Sequence, residues 1–135
     1  MEKGFIPKPD AGGWNISTAQ VFNMVALKAS LEMFEKTDML SLRAKSLELT
    51  GYLEFLLRGL SNIDFEIITP ADQEKRGAQL SLYFKERGKD IHQKMIASGI
   101  VVDYREPGVI RVAPAPLYNS YEDVFRFYKI LKNFQ

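Results

Sequence analysis

The stretch GVIRVAPAPLYNS, residues 108–120, changes character twice along its length. Val109, Ile110 and Val112 are β-branched and surround a single charge, Arg111, as expected of a strand. Pro114 and Pro116 then interrupt any ladder, and Asn119 or Ser120 offers a cap for a helix that follows. Side chains alternate across a strand, so Ile110 and Val112 share one face and Val109, Arg111 and Ala113 the other. If helices cover the Ile110/Val112 face, Arg111 emerges on the opposite one.

Upstream, IVVDYRE (100–106) and VIRVA (109–113) read as two strands joined by a tight turn at Pro107-Gly108. QLSLYFK (79–85) alternates cleanly, with Leu80, Leu82 and Phe84 on one face. DFEIIT (64–69) is a further strand, stopped by Pro70. A short helix over about 89–98 stops at Gly99. Downstream, Val124, Phe127, Tyr128, Leu131 and Phe134 form one stripe on a final helix.

Nearer the start, Ser17 with Gln20 three residues on suggests a capping box and a helix to about Lys36. That helix is apolar on more than one side (Val21, Phe22, Met24, Val25, Leu27, Leu31, Phe34), which predicts burial against two neighbours. Thr37 or Asp38 caps a second helix to about Arg58, carrying Leu40, Ala44, Leu47, Tyr52, Phe55 and Leu56, with Gly59 ending it. Residues 1–16 hold Pro7, Pro9, Gly4, Gly12 and Gly13 and read as an extended segment or linker whose Phe5, Ile6 and Trp14 need a surface to lie on. The order α-α-β-β-α-β-β-α predicts an α+β fold: a two-layer sandwich with a mostly antiparallel sheet of about four strands and helices packed on one face.

The chain has 135 residues, long enough for one domain with a hydrophobic core. Lys plus Arg number 18 against 17 acids, so no basic field points to nucleic acid or a membrane surface. With no cysteine, disulfides, thiolate metal sites and cysteine nucleophiles are excluded. No apolar run approaches the roughly 20 residues of a membrane span, and the first residues lack the apolar core of a signal peptide. A cytoplasmic location is the resulting expectation.

Few residues carry chemistry. A guanidinium on a strand is held straight and partly desolvated, which suits two-point capture of a carboxylate; equally, Arg111 could be paired with a local Asp or Glu. Ser17 and Thr18, at a helix N-terminus, could meet an anion such as phosphate or simply cap the helix. Gly12-Gly13 follows no strand, so it reads as turn chemistry rather than a dinucleotide fingerprint. His92, the single histidine, reads as a solvated helix-face residue, and without a second histidine or a cysteine no metal site is expected. Arg76-Gly77 is either a turn or a contact for a neighbouring domain. No Ser-His-Asp set and no paired carboxylates emerge, so no catalytic residue is assigned.

The block IRVAPAPLYNS, with YREPG just before it, resembles the C-terminal signature of the kynureninases, pyridoxal 5'-phosphate enzymes of the aspartate-aminotransferase fold (fold type I). The resemblance extends to GWNIST, to ALKASLEMFEKTDMLSLRAKSLELTGYLEFLL and to IITPADQEKRGAQLSLYF, from about Gly13 to the last helix. It implies that residues 17–135 are the small C-terminal domain and that residues 1–16 pack on a large cofactor-binding domain.

What the resemblance implies about function is specific. Kynureninases hydrolyse L-kynurenine or 3-hydroxykynurenine to anthranilate or 3-hydroxyanthranilate and L-alanine, in tryptophan catabolism and NAD biosynthesis. The family's arginine in IRVAP binds the substrate α-carboxylate, and here that position is Arg111. GWNIST matches a stretch near the cofactor phosphate, reached across the interface of a homodimer, which points to Thr18 and Ser17, with Trp14 nearby. The family's cofactor-bonding lysine, the aspartate on the pyridine nitrogen and the ring-stacking aromatics belong to the large domain; Lys28 and Lys45 do not match that lysine's motif. This chain alone is therefore expected to be inactive. The competing expectations are the small domain of another fold type I enzyme, and a free-standing module that binds a small carboxylate or a protein partner.

Overall fold

The computed structural model describes residues 4–15 and 17–134, in two compact units divided after Asp38. Residues 1–3 and 16 of the expected extended segment lie outside the described residues.

In the first unit, Asp10 caps a single 3-10 turn, Ala11–Trp14, by accepting from the Gly12 N–H at 2.8 Å. A side chain at Gly13 would place its Cβ 2.4 Å from the Lys8 carbonyl, so this pair is turn chemistry, as read. Helix α1 spans Val21–Phe34, beginning later than the expected Ser17. Gln20 is its N-cap, in extended geometry and without a side-chain cap bond. The Gln20 amide oxygen accepts from Asn23 instead of reaching back to Ser17, so the anticipated capping box does not form. No residue of α1 is buried, and Phe22 is 90 % exposed, so the described residues do not supply the two neighbours its apolar sides were expected to meet.

The second unit holds the remaining elements. Helix α2 (Met39–Arg58) buries Ser46, Leu49, Thr50, Leu53 and Leu57, a stripe at three- and four-residue spacing. Leu40 and Phe55, among the apolar residues the sequence puts on this helix, lie away from that stripe and are exposed. Thr50 satisfies its buried hydroxyl by donating to the Ser46 carbonyl at 2.8 Å. Strands β1 (Glu66–Ile67), β2 (Leu80–Tyr83), β3 (Asp103–Arg105) and β4 (Val109–Val112) form one sheet in the order β1-β2-β4-β3, antiparallel throughout. Helix α3 (Gly88–Ala97) lies between β2 and β3 in sequence, and α4 (Tyr121–Lys132) closes the chain.

The alternation read from sequence decides which way the sheet faces. Leu80, Leu82, Ile110 and Val112 are buried with Leu49, Leu53 and Leu57 of α2, Ile91 and Met95 of α3, and Val124, Phe127 and Leu131 of α4. Fully burying each such side chain contributes about 1.5–3 kcal/mol. Ser81, Tyr83, Val109 and Arg111 alternate onto the other face and are only half-buried. The hairpin turn closes tightly: a Cβ on Gly108 would stand 2.2 Å from the Phe84 carbonyl oxygen, while the Phe84 N–H donates to the Gly108 carbonyl at 2.9 Å. Only glycine tolerates that approach. Of the two caps anticipated for α4, Ser120 is the one used, in a full capping box with Asp123. Asn119 instead accepts from the Ala115 N–H at 2.8 Å, folding the LYNS turn onto the end of the strand.

Candidate functional site

The candidate site lies on the face of the sheet turned away from the helices. Arg111 stands on β4, in register with Ser81 of β2 on one side and Asp103 of β3 on the other. Its side chain is 36 % exposed, so it is partly desolvated yet open to a ligand. The guanidinium is paired with Asp103: Nε donates to Oδ2 at 2.5 Å, and Nη2 meets the same oxygen. Nε of Arg105 donates to that oxygen too, at 3.0 Å. Arg111 thus emerges on the free face, and of the two alternatives read from the sequence it is the pairing with a local carboxylate, Asp103, that the structure contains.

Asp103 is the member that sequence reasoning missed. The signal was present, because a turn at Pro107-Gly108 sets Asp103 opposite Arg111 once the register is drawn. Desolvation pushes the Asp103 carboxyl up. The hydrogen bonds from Arg111 and then Arg105, with the positive charge of both, outweigh it and hold the carboxyl below its ordinary value.

The other anticipated positions fall elsewhere. Ser17 and Thr18 belong to the first unit, exposed, in non-helical chain shortly before the Gln20 cap. They are thus not at the helix N-terminus expected of them. Trp14 ends the 3-10 turn and is 86 % exposed. His92 is not a solvated residue: its Nε2 lies 3.2 Å from the Val102 carbonyl and its ring 5.5 Å from that of Tyr104, tying α3 to the approach to β3. Arg76 is neither a turn residue nor free for a neighbour. Its side chain is 2 % exposed and meets Glu54 Oε2 at 2.7 Å. Among the described residues no group of three or more His, Asp or Glu could hold a metal ion, and no helix is long and apolar enough to cross a membrane.

Comparison with known proteins agrees with this architecture. A solved NifS-like protein superimposes with a TM-score of 0.64 at 24 % identity, over 94 % of this chain and 37 % of that one, which shows the shared fold. The chain is 49 % identical over 132 residues to a kynureninase of Myxococcus xanthus (strain DK1622), covering 98 % of this chain and 31 % of that protein. It is 50 % identical over 139 residues to kynureninase 2 of Aspergillus niger (strain ATCC MYA-4892 / CBS 513.88 / FGSC A1513), covering 98 % and 30 %. The chain thus spans about a third of the length of the curated relatives it matches. The family profile of the kynureninase C-terminal domain matches residues 42–131, which takes in most of α2, the whole sheet and most of α4. With fold, profile and relatives in agreement, the chain belongs to the kynureninase family, as its C-terminal domain.

Proposed function

We propose that this chain is the small domain of a longer kynureninase, with residues 17–135 forming that domain and residues 1–16 packing on the large one, and that Arg111 binds the α-carboxylate of L-kynurenine or its 3-hydroxy form. The observation that carries the reading is the guanidinium of Arg111: fixed on the free face of the sheet, still 36 % exposed, and already engaged with a carboxylate. A planar fork of N–H donors matches a carboxylate in both geometry and charge. The relatives' greater length supports a large domain supplied by the same polypeptide, and a second subunit of a homodimer completes the assembly.

Pyridoxal 5'-phosphate fits this chain only in part. The exposed Ser17 and Thr18 hydroxyls are suitable donors to phosphate oxygens, but they bring no positive charge, so the cofactor's remaining contacts come from the large domain. When bound, the cofactor supplies the electron sink that lets bonds at the substrate's Cα break. Thr18, assisted by Ser17, would hold its phosphate. Arg111 would orient the amino acid through its carboxylate, which is positioning rather than bond-making. The chain by itself would bind or orient without turnover.

The test is L-kynurenine hydrolysis by the full-length protein loaded with cofactor. Arg111→Ala should lower kcat/KM by ~10- to 100-fold, chiefly through KM, the scale of one or two lost charge-assisted hydrogen bonds. An unchanged kcat/KM would sink the assignment. Turnover of cysteine or a common amino acid in place of kynurenine would point to another member of the same fold class. Binding of an amino acid by this chain alone, with no cofactor and no turnover by the full-length protein, would favour a carboxylate-binding module.

A further inference from the structure

A guanidinium presents five N–H groups in a planar fork. In Arg111, Nε and Nη2 are both committed to Oδ2 of Asp103, which occupies the side of the fork. The end of the fork, formed by Nη1 and the outer hydrogen of Nη2, points away from that contact. Arg105 converges on the same Oδ2, so one anion lies between two cations and the cluster keeps one net positive charge (two minus one). Had Asp103 faced Arg111 alone, it would have cancelled the charge that attracts a carboxylate.

We propose that Asp103 is a positioning residue for Arg111, bracing the side of its guanidinium so that the end stays aimed at an incoming α-carboxylate, and that Arg105 braces Asp103 while restoring the positive charge. The proposal deepens the reading of Arg111 as the carboxylate clamp and rests on it. Its physical basis is preorganisation. A long side chain that is more than a third exposed otherwise samples many rotamers, and each must be given up on binding. Cross-strand pairing fixes Asp103 on the backbone directly opposite Arg111, so the brace is in place before substrate arrives.

The full-length enzyme is assayed for KM and kcat with L-kynurenine as Asp103→Ala, Asp103→Asn, Arg105→Ala, Arg111→Ala and the Asp103→Ala/Arg111→Ala double variant. Asp103→Ala should raise KM by ~10-fold with kcat within about twofold of the parent. Asp103→Asn should keep KM within about threefold, because an amide oxygen accepts the same two N–H groups. Arg105→Ala should raise KM through the lost charge. The double variant should be no worse than Arg111→Ala, since Asp103 acts only through Arg111. A merely structural Asp103 would instead lower kcat and add its effect to that of Arg111→Ala, which overturns the proposal. A lower KM in Asp103→Ala overturns it too, by making the carboxylate a competitor for the clamp. If Arg111→Ala leaves KM unchanged, the clamp reading itself fails; if Arg111→Ala raises KM and Asp103→Ala does not, only the brace fails. Should Asp103→Ala not fold, the Arg111 Nε–H resonance decides in this chain carrying Asp103→Asn: retained shift and slow exchange support the brace, and their loss overturns it.

Discussion

Arg76 places Nη1 2.7 Å from Oε2 of Glu54, joining the segment before β2 to the C-terminal part of α2 through an ion pair that is nearly closed to water at the arginine end. Arg76 Nη1 also donates to the Pro70 carbonyl at 3.3 Å, and its Nε is buried without a hydrogen-bond partner among the described residues. A buried guanidinium with one of its donors unmatched depends heavily on the anion it has. Glu54→Ala should therefore destabilise this chain by ~3–5 kcal/mol in urea denaturation, while Arg76→Met, which removes the charge as well as the pair, should cost less. Equal losses would mean that the pair is no more than packing.

The same carboxylate predicts a pH dependence. Desolvation pushes Glu54 up, but hydrogen bonds from Arg58 and Arg76 and their positive charges prevail and hold it below its ordinary value. A group depressed in the folded state contributes stability in full above its unfolded value, ~4.3 for glutamate, and loses it as pH falls through the folded one. Urea midpoints measured from pH 7 downward should fall in that acid window, and more shallowly in a Glu54→Gln variant.

Ser120 caps α4 by accepting from the Asp123 N–H at 3.3 Å, while Asp123 accepts from the Ser120 N–H at 2.9 Å. Ser120→Ala should cost ~1 kcal/mol of stability, read as a lower urea midpoint at unchanged m-value. The Ser120 backbone and hydroxyl bonds hold Asp123 below its ordinary value, so Asp123→Asn should weaken the cap at neutral pH and lose its effect in acid.

Gly108 meets the Phe84 carbonyl so closely that any side chain must move backbone. Gly108→Ala should cost about 2–3 kcal/mol and expose the Phe84 amide to hydrogen exchange, since the β2–β4 contact is forced apart there. Unchanged protection at Phe84 would show that the turn relaxes without loss.

The features that were legible are local ones. The period-two run at Leu80–Phe84, the Pro107-Gly108 turn and the LYNS cap each carry their meaning within a few residues, and together they fix the sheet and its free face. The position of Arg111 on that face was legible for the same reason. What escaped depends on choices between partners. Ser17 and Gln20 have capping-box spacing, yet Gln20 spends its side chain on Asn23, and α1 begins at Val21. Arg76 finds Glu54 across the fold, which no local pattern announces. His92 looks like a surface residue on its own helix and gains its carbonyl partner only when β3 is laid beside α3.

The pairing of Asp103 with Arg111 across the hairpin also limits how the gene can change. Side chains in a strand alternate, so deleting or inserting one residue in the Glu106–Gly108 connection would slip β4 against β3 and turn Arg111 towards Leu53 and Phe127 in the core. Ile110 and Val112 would then face solvent. Substitutions in that connection alter one residue at a time, but a change in its length exchanges the inside of the protein for its outside. The connection is therefore constrained in its length as a whole and, at Gly108, in its identity as well.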